Sequence, residues 1–287
     1  MVATFVIGLR EGLEAALIVG IVAAFLRQRG RPEALRLVWA GVAIAVAICL
    51  AVAVLLQLWS ASLPQAQQEG LETLVSSAAV VMVTYMIVWM RRHARGLKRD
   101  LEDAAATALA EGTAWALVAM AFLAVLREGF ETAVFLLAAF NASGSAFSAG
   151  IGAFLGIVAA AGIGYGIYRG GVRLNLARFF RLTGLVLVVV AAGLVATAFH
   201  TAHEAGWIDV GQAQVLDLSG FIRPGSTVAA LLTGVLGLQA HLAEIEAAGW
   251  LLYVIPMALF VAWPQSRAIR IARTSDGAAG RVETTNR

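Results

Sequence analysis

Seven long apolar runs, separated by short polar or breaker-rich segments, constrain this chain more than any other feature. They cover roughly 2–26, 37–59, 69–90, 113–140, 147–168, 182–204 and 247–264. Each is close to the ~20 residues a helix needs to cross a hydrocarbon core. Backbone amides in lipid must be bonded within their own segment, so such runs predict helices. Gly30-Arg31-Pro32, Leu63-Pro64, Asn141 to Gly144, Arg169-Gly-Gly171 and Arg223-Pro-Gly225 fall between the runs and punctuate them. Composition agrees: 60% of the 287 residues are hydrophobic and 14% charged, with a mean hydropathy of +0.83, against about 25% charged in soluble domains. A soluble enzyme and a disordered chain are both excluded. Ser226–Ala240, about 15 residues, is short for a span and predicts a re-entrant or interfacial segment.

The basic residues set the expected orientation. Eighteen of the 21 Lys and Arg fall in the linkers 27–36, 91–111 and 169–181 and in the tail, all on one face of a seven-span chain. The opposite face receives Arg223, and Arg10 and Arg127 lie inside spans. The positive-inside rule then predicts a multi-pass protein of the cytoplasmic membrane, N-terminus outside and C-terminus cytoplasmic. The pI near 9.5 reflects these clusters and implies no nucleic-acid partner. The polar tail 266–287 is expected to be cytoplasmic and disordered. Arg10, Glu11 and Glu14 interrupt what would be the core of a signal peptide, so the first run is read as a retained helix. Cys49, the one cysteine, reads as a small buried residue. The glycines of the fifth run, Gly150 to Gly166, read as close-packing positions.

Against this apolar background one pattern appears three times: Arg10-Glu11-Gly12-Leu13-Glu14, Gln68-Glu69-Gly70-Leu71-Glu72 and Arg127-Glu128-Gly129-Phe130-Glu131. Residues i and i+3 share a helix face about 5–6 Å apart. Two carboxylates there repel unless they are protonated or bridged by a cation, and the glycine between them lets a neighbour come close. A charged side chain at mid-bilayer costs ~2.5–3.5 kcal/mol on the insertion scale. Arg10 and Arg127 offset part of this cost as structural, charge-balancing partners, and a passing cation would offset more. The first and third copies fall near the centres of the first and fourth runs. These helices run in opposite directions, which predicts an inverted repeat of three spans plus three, about 2–90 and 113–204, followed by one last helix. Glu69 and Glu72 begin the third run at its outer end. His200, His203 and Glu204 share a face at the outer end of the sixth and predict, with the two glutamates, an outer metal site.

In these motifs the chain resembles the oxidase-dependent iron permeases, a family with fungal high-affinity and bacterial ferrous-iron branches. The doubled Arg-Glu-Gly-x-Glu, the Glu-rich start of the third run, and His203-Glu-Ala-Gly-Trp207 all match, over about residues 1–265. The resemblance implies an all-α integral membrane protein and an iron transporter rather than an enzyme. The iron-handling motif maps onto Arg10, Glu11, Glu14, Arg127, Glu128 and Glu131, with Glu69 and Glu72 as an acidic third-span motif. It implies iron as substrate, no permanent cofactor, and a separate oxidase, peroxidase or extracytoplasmic iron-binding partner. Four histidines and one cysteine cannot build a multicopper centre within the chain. From the residues alone, a permease for another divalent cation such as Mn or Zn and an intramembrane di-metal carboxylate enzyme stay open. The second usually draws on Glu-x-x-His ligands that these motifs lack.

Overall fold

A computed structural model describes residues 1–28, 30, 32–93, 96, 99, 103, 107, 114–141, 146–169, 175–211, 213–217 and 241–263. Seven long helices lie among them: α1 Val2–Gln28, α2 Pro32–Ala61, α3 Gln65–His93, α4 Ala114–Asn141, α5 Ala146–Tyr168, α6 Leu176–Glu204 and α7 Glu244–Ala262. Each coincides with one apolar run, and the chain is an all-α membrane protein. Five are long and apolar enough to cross a bilayer; α1 and α4 are of similar length but carry the Arg-Glu-Gly-x-Glu motifs in mid-helix. Several helices run a few residues beyond the apolar runs, because helical bonding persists into the interfacial zone. Pro32 opens α2, where a missing N–H costs nothing. Asn175 caps α6, its side chain accepting from the Arg178 amide at 3.1 Å.

One element lies outside the predicted pattern. Gln214–Asp217 pairs antiparallel with His241–Ala243, with a bulge between Gln214 and Leu216. The sequence reading had only a loop there. The candidate re-entrant segment 226–240, Arg223 and the tail 266–287 lie outside the described residues.

Packing partners exchange in pairs. α1 packs chiefly on α5 and α2 on α4; α3 packs on α6 and α1 on α4. Swapping α1 with α4, α2 with α5 and α3 with α6 leaves this pattern unchanged. That is what a two-fold relation between two three-helix units requires. α7 stands apart from it and packs on α6. The largest apolar cluster joins Ala79, Val83 and Met86 of α3 to Leu187, Val188 and Leu194 of α6, with Ile7 of α1 and Phe135 of α4.

Small residues bring the motif helices into close contact. A Cβ at Gly12 would lie 2.9 Å from the Ala160 Cβ on α5, and one at Gly129 would lie 2.7 Å from the Cys49 Sγ on α2. The two motif glycines thus face equivalent partners. From α5, Gly152 and Gly156 approach the backbone of α1 directly, and Gly164 meets Ala16. Gly150 and Gly162 face open space, so only part of the fifth-run glycine series serves packing. Cys49 is buried, and its Sγ lies 3.5 Å from the Leu126 carbonyl.

Candidate metal centre

The α1–α4 crossing brings both intramembrane motifs together. Ligand oxygens of Glu11, Glu128 and Glu131 all lie within 4.8 Å of one another. Glu11 is 1% exposed and Glu128 6%. Within α1, Arg10 reaches Glu11 at 3.4 Å and Glu14 at 3.3 Å. Within α4, Arg127 Nε reaches Glu131 at 2.9 Å and Glu128 at 3.9 Å. Four carboxylates and two guanidiniums leave two formal negative charges if all are ionised. Glu11 Oε2 and Glu128 Oε2 are buried without a hydrogen-bond partner. A buried carboxylate oxygen without a partner is costly, and a bound cation or a proton would satisfy it. Glu14 stays on Arg10 and is not one of the three converging residues.

The two arginines differ. Arg10 is 1% exposed; its Nη1 lies 2.8 Å from Met86 Sδ, and its Cζ sits 5.8 Å from the Phe180 ring centroid. The Arg127 side chain is 58% exposed. A cleft of about 580 Å³ borders the centre, reached by Glu11 and Glu128 and walled mainly by apolar side chains of α2 and α4.

A second cluster lies where α3 begins and α6 ends. His200 Nε2 is 3.4 Å from Glu204 Oε1, and its Nδ1 is 2.9 Å from Glu246 Oε1. Glu69 and Glu72 lie close enough to Glu204 to feel its charge. Gln68, standing where the other copies have Arg, approaches Glu72 at 3.5 Å. Just deeper, Thr73 and Thr201 hydroxyls share a hydrogen bond of 2.7 Å. The third motif glycine, Gly70, packs on the Trp207 ring. His203 contacts none of these carboxylates; its Nδ1 faces the Ile208 carbonyl at 2.8 Å, which leaves Nε2 as its open nitrogen. Glu246, buried in the first turn of α7, was missed by the sequence reading. Glu244 and Glu246 stand two residues apart ahead of an apolar run, a spacing that does not share a helix face, and only the packing of α7 on α6 brings Glu246 to His200. Asp209 is exposed, and His93 stacks on Trp89.

Residues 1–269 match the model of the iron permease FTR1 family. Proteins named ferrous iron permease EfeU are similar along nearly their whole length. That of Shigella sonnei (strain Ss046) is 39% identical over 277 residues, 96% of this chain and 100% of the relative. That of Yersinia pestis is 42% identical over 271 residues, 93% of this chain and 96% of the relative. No solved structure matches the chain.

Proposed function

The chain belongs to the iron permease FTR1 family, and on that premise we propose that it carries iron across the cytoplasmic membrane through the carboxylate centre between α1 and α4. The observation that supports this most is the convergence of Glu11, Glu128 and Glu131 oxygens within 4.8 Å in a buried setting. Hard carboxylate oxygens suit iron, and the His200 imidazole of the outer cluster extends that preference to Fe2+. The relatives' name, ferrous iron permease, supports Fe2+ as the transported species.

In this reading Glu11, Glu128 and Glu131 bind the ion directly, and Glu14 joins them as it passes. Arg10 and Arg127 balance charge when the ion has left. Glu69, Glu72, His200 and Glu204 form an outer loading site, with Glu246 holding the His200 ring. The two three-helix units, about 2–90 and 113–204, act as an inverted repeat around the centre. The basic linkers favour a cytoplasmic C-terminus. An extracytoplasmic iron-binding protein, oxidase or peroxidase supplies the metal, since four histidines and one cysteine cannot build a multicopper centre within the chain.

Radiolabelled iron uptake into proteoliposomes, with Fe2+ and Fe3+ supplied separately, tests the proposal. Glu11→Gln, Glu128→Gln and Glu131→Gln keep size and remove charge, so each should abolish uptake while the protein still inserts. Near-normal transport by these variants would reduce the centre to a set of structural ion pairs.

A further inference from the structure

We propose that the seam between α3 and α6, below the outer cluster, is a transfer site for a divalent cation, with the hydroxyls of Thr73, Ser76 and Thr201 as its ligands. The inference rests on the iron path proposed above and fills the stretch between its two carboxylate clusters. Gly70, Thr73, Ser76 and Ala79 recur at every third position of α3 and are all buried, and α3 packs chiefly on α6. From α6, Thr201 and Thr197 are buried as well. Thr73 meets Thr201 and Met90 meets Phe180, so the two helices run antiparallel. Three residues on from Thr73 lies Ser76, and four residues back from Thr201 lies Thr197, at a similar depth. The outer half of the interface thus carries four hydroxyls. Thr73 and Ser76 each follow an outer-cluster glutamate, Glu69 and Glu72, by one helical turn.

Two features set these hydroxyls apart from packing groups. Ser76 is fully buried, and its Oγ has no hydrogen-bond partner among the described residues. Such a group is costly unless something binds it. The threonines, in turn, have a second place for their protons. Thr73 Oγ1 lies 2.9 Å from the Glu69 carbonyl and Thr201 Oγ1 3.0 Å from the Thr197 carbonyl, besides the 2.7 Å between the two hydroxyls. Within the pair one hydroxyl donates to the other. When a cation arrives, both protons can turn to the carbonyls of their own helices, and both oxygens then offer lone pairs to the ion. Neutral oxygens hold a divalent ion less tightly than carboxylates do, which suits a site that must pass its ion on. Beyond Ser76 the seam closes, where Ala79 and Val83 meet Leu194, Ile7 and Phe135. Ile7 is one turn from Glu11, and Phe135 one turn from Glu131. This apolar layer therefore separates the hydroxyls from the carboxylate centre, and the transfer site holds the ion until the layer parts.

Radiolabelled Fe2+ uptake into proteoliposomes and thermal unfolding of the same preparations test the proposal. Thr→Val keeps the shape and removes the hydroxyl, and replacing both partners of a hydrogen bond in this way is close to neutral for stability. Thr73→Val/Thr201→Val and Ser76→Ala should therefore unfold near or above the temperature of the unmodified protein. Their maximal uptake rate should fall several-fold, while the iron concentration for half-maximal uptake changes little, because the outer cluster still captures the ion. Thr73→Ser/Thr201→Ser keeps both hydroxyls and should retain most of the rate. Unchanged maximal rates in the hydroxyl-free variants overturn the proposal. An equal loss in Thr73→Ser/Thr201→Ser, or a loss that comes with a markedly lower unfolding temperature, would assign the effect to packing and overturn it too. Glu11→Gln is the reference: if it abolishes uptake while the hydroxyl-free variants transport normally, the seam fails and the carboxylate path stands. If Glu11→Gln also transports normally, the carboxylate path itself fails.

Discussion

Arg10 and Arg127 hold the same position in two copies of one motif, yet the first is 1% exposed and the second, at its side chain, 58%. Each reaches the glutamate four residues on, at 3.3 and 2.9 Å. Arg10 is additionally enclosed by Met86 and Phe180. The same chemistry is therefore embedded to different degrees in the two halves.

The difference ranks two substitutions. Removing one partner from a buried ion pair typically costs about 3–5 kcal/mol, so Arg10→Ala should sharply lower the amount of folded protein. Arg127→Ala should lower it less, while impairing uptake. Arg10→Lys should also impair uptake, because a lysine cannot span Glu11 and Glu14 with a planar fork. Folded yield in detergent and iron uptake in proteoliposomes check both. A lower folded yield for Arg127→Ala than for Arg10→Ala would contradict the assignment.

Gly129 and Cys49 form a size-matched pair across α4 and α2. Gly129→Ala puts a methyl group 2.7 Å from the Cys49 Sγ, and overpacking of this kind costs roughly 1–3 kcal/mol. The variant should melt at a lower temperature. Adding Cys49→Ala should recover much of the loss, because contacting residues couple. Thermal unfolding of the two single variants and the double variant measures the coupling, and strict additivity would refute it.

At the outer cluster His200 and His203 should behave differently. His200→Ala removes a ring that lies between Glu204 and Glu246. It should raise the iron concentration for half-maximal uptake by about tenfold, the equivalent of about 1.4 kcal/mol. The maximal rate should fall less. Glu246→Gln should have a similar effect and should not add to His200→Ala. His203→Ala should change transport less, since the ring contacts none of the carboxylates that surround His200. Concentration dependence of uptake separates these cases; equal effects for the two histidines would remove the distinction.

Orientation is testable with cysteine labelling in a Cys49→Ala background. Ser62→Cys, in the turn after α2, should react with a membrane-impermeant maleimide added outside intact cells. Arg169→Cys, after α5, should react only once the membrane is opened. The reverse pattern would invert the topology.

The helices and the α1–α4 carboxylates were legible in the sequence because each rests on local spacing. Apolar length marks a span, and Glu-Gly-x-Glu places two acids on one helix face whatever the fold. What stayed hidden depends on contacts between distant segments. Glu246 meets His200 only through the packing of α7 on α6. Met86 and Phe180 look like ordinary apolar residues until they enclose Arg10. His203 shares a helical face with His200, but the turn after Glu204, where the Trp207 amide bonds the Ala202 carbonyl at 2.9 Å, brings a carbonyl to it first. The three converging residues also could not be told from the four by spacing, because Glu14 and Glu131 hold the same place in the two motifs and each reaches its own arginine.

The exchange of packing partners has a bearing on biogenesis. α1 finds its main contact in α5, and α2 finds its own in α4, so neither half of the chain closes a core by itself. When the first three helices have entered the membrane, the glycine face of α1 is still waiting for a segment more than a hundred residues downstream to be synthesised. Assembly of the carboxylate centre is therefore a late event of insertion. Until α4 and α6 arrive, Glu11 lacks Glu128 and Glu131 beside it, and Arg10 has Met86 but not Phe180.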